Sequence, residues 1–254
     1  MSDPSAAYRV VVVHPDAEVL AEAVAARLIT LLLDVQSVRT PAHIVLTGGT
    51  VGTAILASVA ASPLRDAVDW SGVHVWWGDE RFLPTGDAER NETGARSALL
   101  DGLGDLLPAA NVHPVPAPGE PEIDSPEDAA AAYARELGSF ATARGLVPEF
   151  DVLLLGMGPD GHIASLFPGG AALGVTGTAA VGVHGAPKPP PERVSLTLEA
   201  IHAAREVWLV AAGEAKADAL AAALDHAPGI PATAAAGREK TLWLVDAAAA
   251  TPGR

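Results

Sequence analysis

The sequence contains no cysteine among its 254 residues. This absence excludes disulfide bonds, thiolate nucleophiles and cysteine-ligated metal ions. Lysine is scarce, since only Lys188, Lys216 and Lys240 occur, and aromatic residues make up only 4% of the chain. Hydrophobic residues still account for 49% of the sequence, which is enough to form a large core of aliphatic and alanine side chains. We therefore expect a folded protein rather than a disordered one.

Basic residues are also outnumbered, with 16 lysines and arginines against 31 acidic residues and a net charge of −15. A field of this sign repels nucleic-acid phosphates and anionic membrane surfaces, so we predict neither nucleic acid nor membrane as a partner. A small anionic substrate would be repelled as well. If the substrate is anionic, the few cations must be concentrated at its binding site.

Targeting and membrane-spanning signals are missing. Residues 1–7 do not combine a basic segment with an apolar one, as a signal peptide would. The longest apolar stretches, such as residues 28–33 and 207–212, are far too short to span a membrane. We expect a cytoplasmic protein that is a monomer or a weak homodimer.

Short apolar, β-branched segments alternate along the chain with longer segments of helical periodicity. This alternation is typical of a parallel sheet covered by helices. The predicted strands are residues 8–14, 43–47, 73–77, 111–115, 151–155, 180–184, 193–198, 207–211 and 241–245. Five helices are predicted. The first begins after the cap Asp16, the second and third cover residues 50–61 and 92–103, the fourth runs from the cap Ser125 to about Arg144, and the fifth covers residues 214–224.

No internal repeat and no long linker divides the chain, although residues 114–126 are rich in Pro, Gly and acidic residues and should form a loop. We therefore predict one α/β domain over residues 1–254. Its core should be a single doubly wound, mostly parallel, Rossmann-like sheet with helices on both faces.

Ligands of such sheets bind beyond the carboxyl ends of the strands, where four segments have an unusual composition. Gly48-Gly49-Thr50 follows the second strand, and a glycine-rich helix start offers free N–H groups to an anion. An ordinary tight turn would read the same way. Asp79-Glu80-Arg81 follows the third strand, and three charges there indicate a site more than a solvated loop.

The third segment reads GMGPDGHIASLFP from Gly156 and contains the spacing G-x-G-x-x-G. A dinucleotide site would need an acidic residue about 20 positions further on, yet no Asp or Glu lies between Asp160 and Glu192. We therefore predict no NAD and no other cofactor. What remains is Asp160-Gly161-His162, where a histidine beside a carboxylate can take a proton near neutral pH. An isolated histidine is more often structural, but this position favours function.

The fourth segment, PKPPPER, places Lys188 and Arg193 on a proline-stiffened loop that loses little entropy on binding a ligand. Such loops more often serve as rigid surface connections. Elsewhere the sequence has no G-x-S-x-G nucleophile motif and no pair of histidines four residues apart. We therefore predict neither an α/β-hydrolase serine nor a metal site.

Together these segments resemble the 6-phosphogluconolactonase family. The matching pieces are LTGGT, WWGDERFLP, FDVLLLGMGPDGHIASLFPG, PKPPPERVSLTL and GEAKADAL, in this order between Leu46 and Leu220. The resemblance implies a Rossmann-like fold shared with glucosamine-6-phosphate deaminase and ribose-5-phosphate isomerase-like proteins. It also implies a carboxylic ester hydrolase of the oxidative pentose phosphate pathway, which converts the small sugar-phosphate lactone 6-phospho-D-glucono-1,5-lactone to 6-phosphogluconate.

The resemblance further implies roles for individual residues. His162 matches the general base that activates water, Asp160 the preceding acid, and Asp79 and Arg81 the D-E-R pair. The implied substrate-binding residues are Gly48, Gly49 and Thr50 of the phosphate loop, with Arg81, Gly161, Lys188, Arg193 and Lys216. One departure is Gly185-Ala186, where relatives often carry Asp or Asn followed by Ser before Pro-Lys-Pro.

Two alternatives share this fold. Glucosamine-6-phosphate deaminase typically has a glutamate five residues after the histidine, where this chain has Phe167. Non-catalytic sugar-phosphate sensors carry a helix-turn-helix module before the fold, and a first strand starting near Tyr8 leaves no room for one. The lactonase is therefore the favoured hypothesis.

Overall fold

The computed structural model describes residues 8–141 and 145–251. The first half of the chain contains β1 (Tyr8–His14), α1 (Ala17–Gln36), β2 (Ala42–Leu46), α2 (Gly49–Ala61), β3 (Val73–Trp77), β4 (Asp79–Arg81), α3 (Asn91–Ala95), α4 (Asp101–Leu103) and α5 (Pro126–Ser139). A π-helical turn, Arg96–Leu100, joins α3 to α4. The second half contains β5 (Val152–Gly156), β6 (Ala180–Val183), β7 (Arg193–Leu196), α6 (Leu198–His202), β8 (Glu206–Ala211), α7 (Ala217–Leu224) and β9 (Lys240–Asp246).

Six strands form a parallel sheet in the order β1-β9-β8-β5-β2-β3. The predicted α/β, Rossmann-like fold class is confirmed. A second, antiparallel sheet of three short strands has the order β4-β7-β6. Two strands predicted near residues 180–184 and 193–198 therefore exist, but they belong to this small sheet.

Burial explains why the central strands have almost uninterrupted apolar sequences. Every residue of β2 is buried, as are all residues of β5 except Gly156. Strands of a parallel sheet are covered on both faces, so they do not alternate between polar and apolar residues. Against them packs α1, whose Leu20, Val24 and Leu28 are completely buried, and whose N-cap Asp16 accepts a hydrogen bond as predicted.

The helix predicted from the cap Ser125 is shorter than expected. Ser125 Oγ accepts from the N–H of Asp128 at 3.2 Å and donates to its carboxylate at 2.6 Å, which confirms the cap. The helix α5 ends at Ser139, because the N–H of Phe140 closes a tight final turn with the carbonyl three residues earlier. The expected end near Arg144 lies outside the described residues.

The strand predicted at residues 111–115 is wrong. Val112 makes only an isolated parallel bridge with Val75, and the N–H of His113 donates to the Val75 carbonyl at 2.9 Å. The ladder stops there, since Pro114 has no N–H to donate.

Three histidines fill the space beside this bridge. His43 and His74 face each other on β2 and β3, with ring centroids 4.9 Å apart, and His74 Nδ1 lies 2.8 Å from His113 Nε2. His113 stacks on Trp76 at 3.9 Å, and its Nδ1 lies 2.6 Å from the carboxylate of Glu136 on α5. We refer to His43, His74 and His113 as the histidine stack. It belongs to the packing between α5 and the sheet.

No helix in the described part of the chain is both long and apolar enough to cross a membrane.

Candidate functional site

A cleft of about 280 Å³ lies at the carboxyl ends of β2, β3, β5 and β8. Its lining includes nearly all of the predicted site residues, namely Gly48, Gly49, Thr50, Asp79, Arg81, His162, Lys188, Arg193 and Lys216. The two others, Asp160 and Gly161, directly precede His162. The parallel sheet thus brings together segments that are up to about 170 residues apart in sequence.

His162 is held beside Asp160. Its Nδ1 lies 2.5 Å from Asp160 Oδ1, and its ring lies 4.6 Å from the ring of Phe167. The ring packs so closely on the backbone that a Cβ at Gly158 would lie 2.0 Å from Nδ1. Gly161, with φ of +77°, provides the left-handed turn that brings Asp160 and His162 together.

Burial and charge act in opposite directions on this pair. Burial lowers the pKa of His162 below its usual value, although the hydrogen bond and charge of Asp160 and the charge of Asp79 oppose the shift. Burial raises the pKa of Asp160, but its bonds to His162 outweigh burial and leave that pKa below its usual value. The lowered pKa favours the neutral form of His162. With its Nδ1–H donated to Asp160, the Nε2 lone pair can accept a proton.

Asp79 is fixed by two buried side chains that the sequence did not mark as functional. The fully buried Ser165 donates from Oγ to Asp79 Oδ2 at 2.7 Å, and Asn91 donates from Nδ2 to the Asp79 carbonyl at 2.9 Å. Between His162 and Ser165, Ala164 has φ of +48°, which is unusual and strained for a residue other than glycine. This turn links the histidine loop to the Asp79 strand.

Glu80 organises the start of α3 from within the core. It is only 1% exposed and accepts hydrogen bonds from the N–H groups of Arg81, Asn91 and Glu92 at 2.6–2.9 Å. Burial raises its pKa to about 7, while the charge of Arg90 and these N–H groups oppose that rise. Glu80 thus places Asn91 against the cleft, and of the three charges predicted at this strand end it is the one that faces inward.

Positions 48 and 49 of the predicted phosphate loop favour glycine for different structural reasons. Gly48 has an ordinary φ of −91°, but a Cβ there would lie 1.7 Å from Asn91 Oδ1. Gly49 has open space around it and a φ of +74°, which favours glycine for its conformation. Asn91 therefore occupies the volume that a side chain at position 48 would fill. No motif marks it in the sequence, since it follows Asp79 by twelve residues.

Four cations converge on the cleft. Arg81 and Arg193 are direct cross-strand partners on β4 and β7, an arrangement in which like charges repel. Burial lowers the pKa of Lys216, and the nearby charge of Lys188 lowers it further. Within residues 8–141 and 145–251, none of these four side chains has a carboxylate oxygen within 4.0 Å. Seven other basic side chains do, namely Arg39, Arg65, Arg90, Arg96, Arg205, Arg238 and Lys240.

The described residues contain no group of three or more His, Cys, Asp or Glu side chains arranged to hold a metal ion. The charged and titratable groups at the cleft are an imidazole–carboxylate pair, a second fixed carboxylate and the four cations.

Comparison with known proteins agrees with the motifs. The model of the family described as glucosamine-6-phosphate isomerases/6-phosphogluconolactonase matches residues 15–243. The chain belongs to this family. The 6-phosphogluconolactonase of Streptomyces coelicolor is 56% identical over 244 residues, covering 94% of this chain and 93% of that protein. The 6-phosphogluconolactonase of Mycobacterium leprae is 48% identical over 246 residues, covering 95% and 98%.

The similarity to this family also holds for a solved three-dimensional structure. The 6-phosphogluconolactonase of Trypanosoma brucei superposes with a TM-score of 0.82 at 26% identity, covering 95% of this chain and 97% of that one. The family predicted from the five sequence segments is thus confirmed.

Proposed function

We propose that the chain hydrolyses 6-phospho-D-glucono-1,5-lactone to 6-phosphogluconate, the reaction for which its relatives are named. The observation that carries this proposal is the pairing of His162 and Asp160 at a cleft whose four cations have no carboxylate partner in the described structure. A protein with a net charge of −15 has carboxylates in excess. Cations left without them at one place therefore favour an anionic ligand.

The proposed chemistry begins at His162. Its Nε2 takes a proton from water, and the water oxygen attacks the lactone carbonyl. Asp160, which accepts the Nδ1–H, stabilises the imidazolium that forms, and Asp79 adds a second negative charge nearby. The proton then returns to the ring oxygen as the C–O bond breaks. A lactone is an activated ester, so a base and cations close to the developing oxyanion are sufficient without a covalent nucleophile.

The phosphate is proposed to lie against the start of α2. Gly48 is the N-cap of this helix of 13 residues and forms no side-chain cap, so the N–H groups of the first turn remain available to an anion. Lys188 and Lys216 line the same cleft, and the repulsion between their charges would be relieved by an anion between them.

Two larger cavities in the described structure fit a sugar phosphate less well. One of about 620 Å³ has Asp160 and His184 in its lining but no lysine or arginine. The other, of about 510 Å³, is lined by Arg27, Arg205 and Lys240, but Arg205 and Lys240 are ion-paired with carboxylates, and Asp34, Asp151 and Glu206 line it as well. The smaller cleft is the one in which four cations without an ion-pair partner in the described structure come together.

The test is hydrolysis of freshly generated lactone, coupled to 6-phosphogluconate dehydrogenase and corrected for spontaneous ring opening. We expect His162→Ala to lower kcat about a hundredfold or more, the usual contribution of a general base. His202→Ala is the matched control, because His202 is exposed and, among the described residues, bonds only the Ala234 carbonyl. A folded His162→Ala variant with near-normal turnover would show that the base lies elsewhere.

The pH profile follows from the same assignment. Only neutral His162 can accept a proton, so kcat/KM should fall as the pH drops through its pKa. Because burial lowers that pKa, the midpoint should lie below the ordinary value of about 6.5. The titration must stay below the alkaline range, where the lactone opens unaided. A midpoint well above 6.5 would contradict the assignment.

The deaminase alternative is tested with glucosamine 6-phosphate. Phe167 lies against the His162 ring and cannot titrate, whereas isomerisation with loss of ammonia is better served by a second acid–base group. We expect no release of ammonium or fructose 6-phosphate. Turnover comparable to that on the lactone would instead assign the chain to the deaminase branch.

A further inference from the structure

The guanidinium group of Arg193 donates most of its hydrogen bonds to backbone carbonyls of the preceding loop. Nε donates to the carbonyl of Pro190 at 3.1 Å, and Nη2 donates to the carbonyls of Lys188 at 3.0 Å and Pro189 at 3.2 Å. The residue is only 5% exposed. These bonds fasten three consecutive residues of the proline-rich loop to the first residue of β7.

The loop has few other anchors. Its base is closed by the N–H of Ala186, which donates to the Pro191 carbonyl at 3.0 Å. Between these residues Lys188 is exposed, and within the described chain its side chain forms no hydrogen bond or ion pair. The carbonyl bonds from Arg193 therefore hold the stretch of backbone from which the Lys188 side chain extends at the cleft.

Arg193 also contacts the other side of the site. Its Cζ lies 5.9 Å from the centroid of the Phe167 ring, and that ring packs against His162. One side chain thus joins the loop that carries Lys188 to the aromatic ring beside the proposed general base.

The same bonds restrict what Arg193 can do for a ligand. Two-point recognition of a phosphate or carboxylate by arginine requires two N–H groups on one edge of the guanidinium. Nε and Nη2 already donate to carbonyls, so Nη1 is the only nitrogen of the Arg193 guanidinium without a hydrogen bond in the described structure. A substrate anion could reach Arg193 through a single nitrogen at most.

We infer that Arg193 is a positioning residue, which acts on the substrate through the placement of Lys188 and the Phe167 ring and does not itself anchor the phosphate. This inference rests on the proposed function for its kinetic consequences, but its structural consequence is independent of activity. Without the three carbonyl bonds, residues 185–191 should lose their fixed conformation.

The experiment compares Arg193→Lys, Lys188→Ala and the double variant. Lysine keeps the charge but cannot bond three carbonyls with a planar fork, so Arg193→Lys should behave like loss of Lys188. We expect each single variant to raise KM for the lactone about tenfold with a smaller change in kcat, and the double variant to stay within about twofold of either single one. Arg65→Ala, at an exposed ion pair away from the cleft, is the matched control.

Hydrogen exchange of the Ala186 amide, whose N–H donates to the Pro191 carbonyl at the base of the loop, provides the readout that does not require turnover. We expect faster exchange in Arg193→Lys and an unchanged rate in Lys188→Ala and Arg65→Ala. If Arg193→Lys folds poorly, Arg193→Gln, which retains two N–H donors on a shorter side chain, is measured in the same way. Its Ala186 amide should exchange more slowly than that of Arg193→Lys. Inorganic phosphate, titrated as a probe of the cleft, should bind Arg193→Gln more tightly than it binds Arg193→Lys.

Additive KM increases, with a double variant about a hundredfold weaker, would overturn the inference and make Arg193 a direct ligand. So would unchanged exchange of the Ala186 amide in Arg193→Lys. A wild-type protein without lactonase activity would refute the proposed function, while the exchange comparison would still decide the role of Arg193.

Discussion

Replacing Gly48 by alanine tests the packing of the cleft at a single methyl group. The new Cβ would lie 1.7 Å from Asn91 Oδ1 and 2.2 Å from its Cγ, so the amide must move. Movement breaks its hydrogen bond to the Asp79 carbonyl, which contributes about 1 kcal/mol. Overpacking of a filled site adds about 1–3 kcal/mol. We therefore expect Gly48→Ala to lower the free energy of unfolding by about 2–4 kcal/mol.

Two companion variants isolate the cause. Gly49→Ala adds a methyl group in open space. It should lower the free energy of unfolding by only about 1–2 kcal/mol, the cost of alanine in a left-handed conformation. Asn91→Ala removes the amide that the methyl group would strike. In that background Gly48→Ala should cost little, which gives a coupling energy of about 2–4 kcal/mol between the two positions.

The assay is urea unfolding followed by the fluorescence of the five tryptophans, with the slope of the transition checked for constancy. Lactonase activity is measured on the same samples. Additive losses in the double variant would refute the reasoning, because they would mean that the two side chains do not compete for one volume. A Gly48→Ala variant as stable as the wild type would refute it as well.

Three further outcomes are expected. Burial, followed by the charges of His74 and His113, lowers the pKa of His43 to about 3, well below its unfolded value. The free energy of unfolding should therefore fall as the pH drops from about 6.5 toward 3, by at most about 1.4 kcal/mol per pH unit. His43→Leu should flatten this dependence in urea titrations at pH 7 and pH 5. An equally steep dependence in the variant would contradict the role of His43. Ser125→Ala should lose about 1 kcal/mol of unfolding free energy as the N-cap of α5, and no loss would argue against the cap. EDTA should leave lactonase activity intact; activity lost and then restored by zinc would instead establish a metal site.

The central strands could be predicted from sequence because strands buried on both faces have distinctive apolar runs. The predicted strands at residues 43–47 and 151–155 lie within one residue of the central strands β2 and β5. The glycines and charges that follow such strands could be assigned to one edge of the sheet, because parallel strands all end there. This rule is sufficient to place His162 and Asp79 in one region, whereas Lys188 lies between two strands of the antiparallel sheet, to which the rule does not apply.

The remaining features depend on contacts between distant residues. Asn91 and Ser165 have no motif of their own, and their role is defined by hydrogen bonds to Asp79 that span 12 and 86 residues. Strand β4 has only three residues, all charged, so neither apolar character nor alternation predicts it. It exists because β7 supplies its antiparallel partner.

The cleft draws its lining from separate stretches of chain between Thr47 and Lys216. Its formation therefore requires the closure of long intervening loops, which costs conformational entropy. A ligand that binds only the completed cleft draws the whole equilibrium toward the native state by mass action. Occupancy of the cleft and integrity of the sheet are consequently linked quantities, so that a substitution far from His162 can weaken substrate binding simply by shifting population to the unfolded chain.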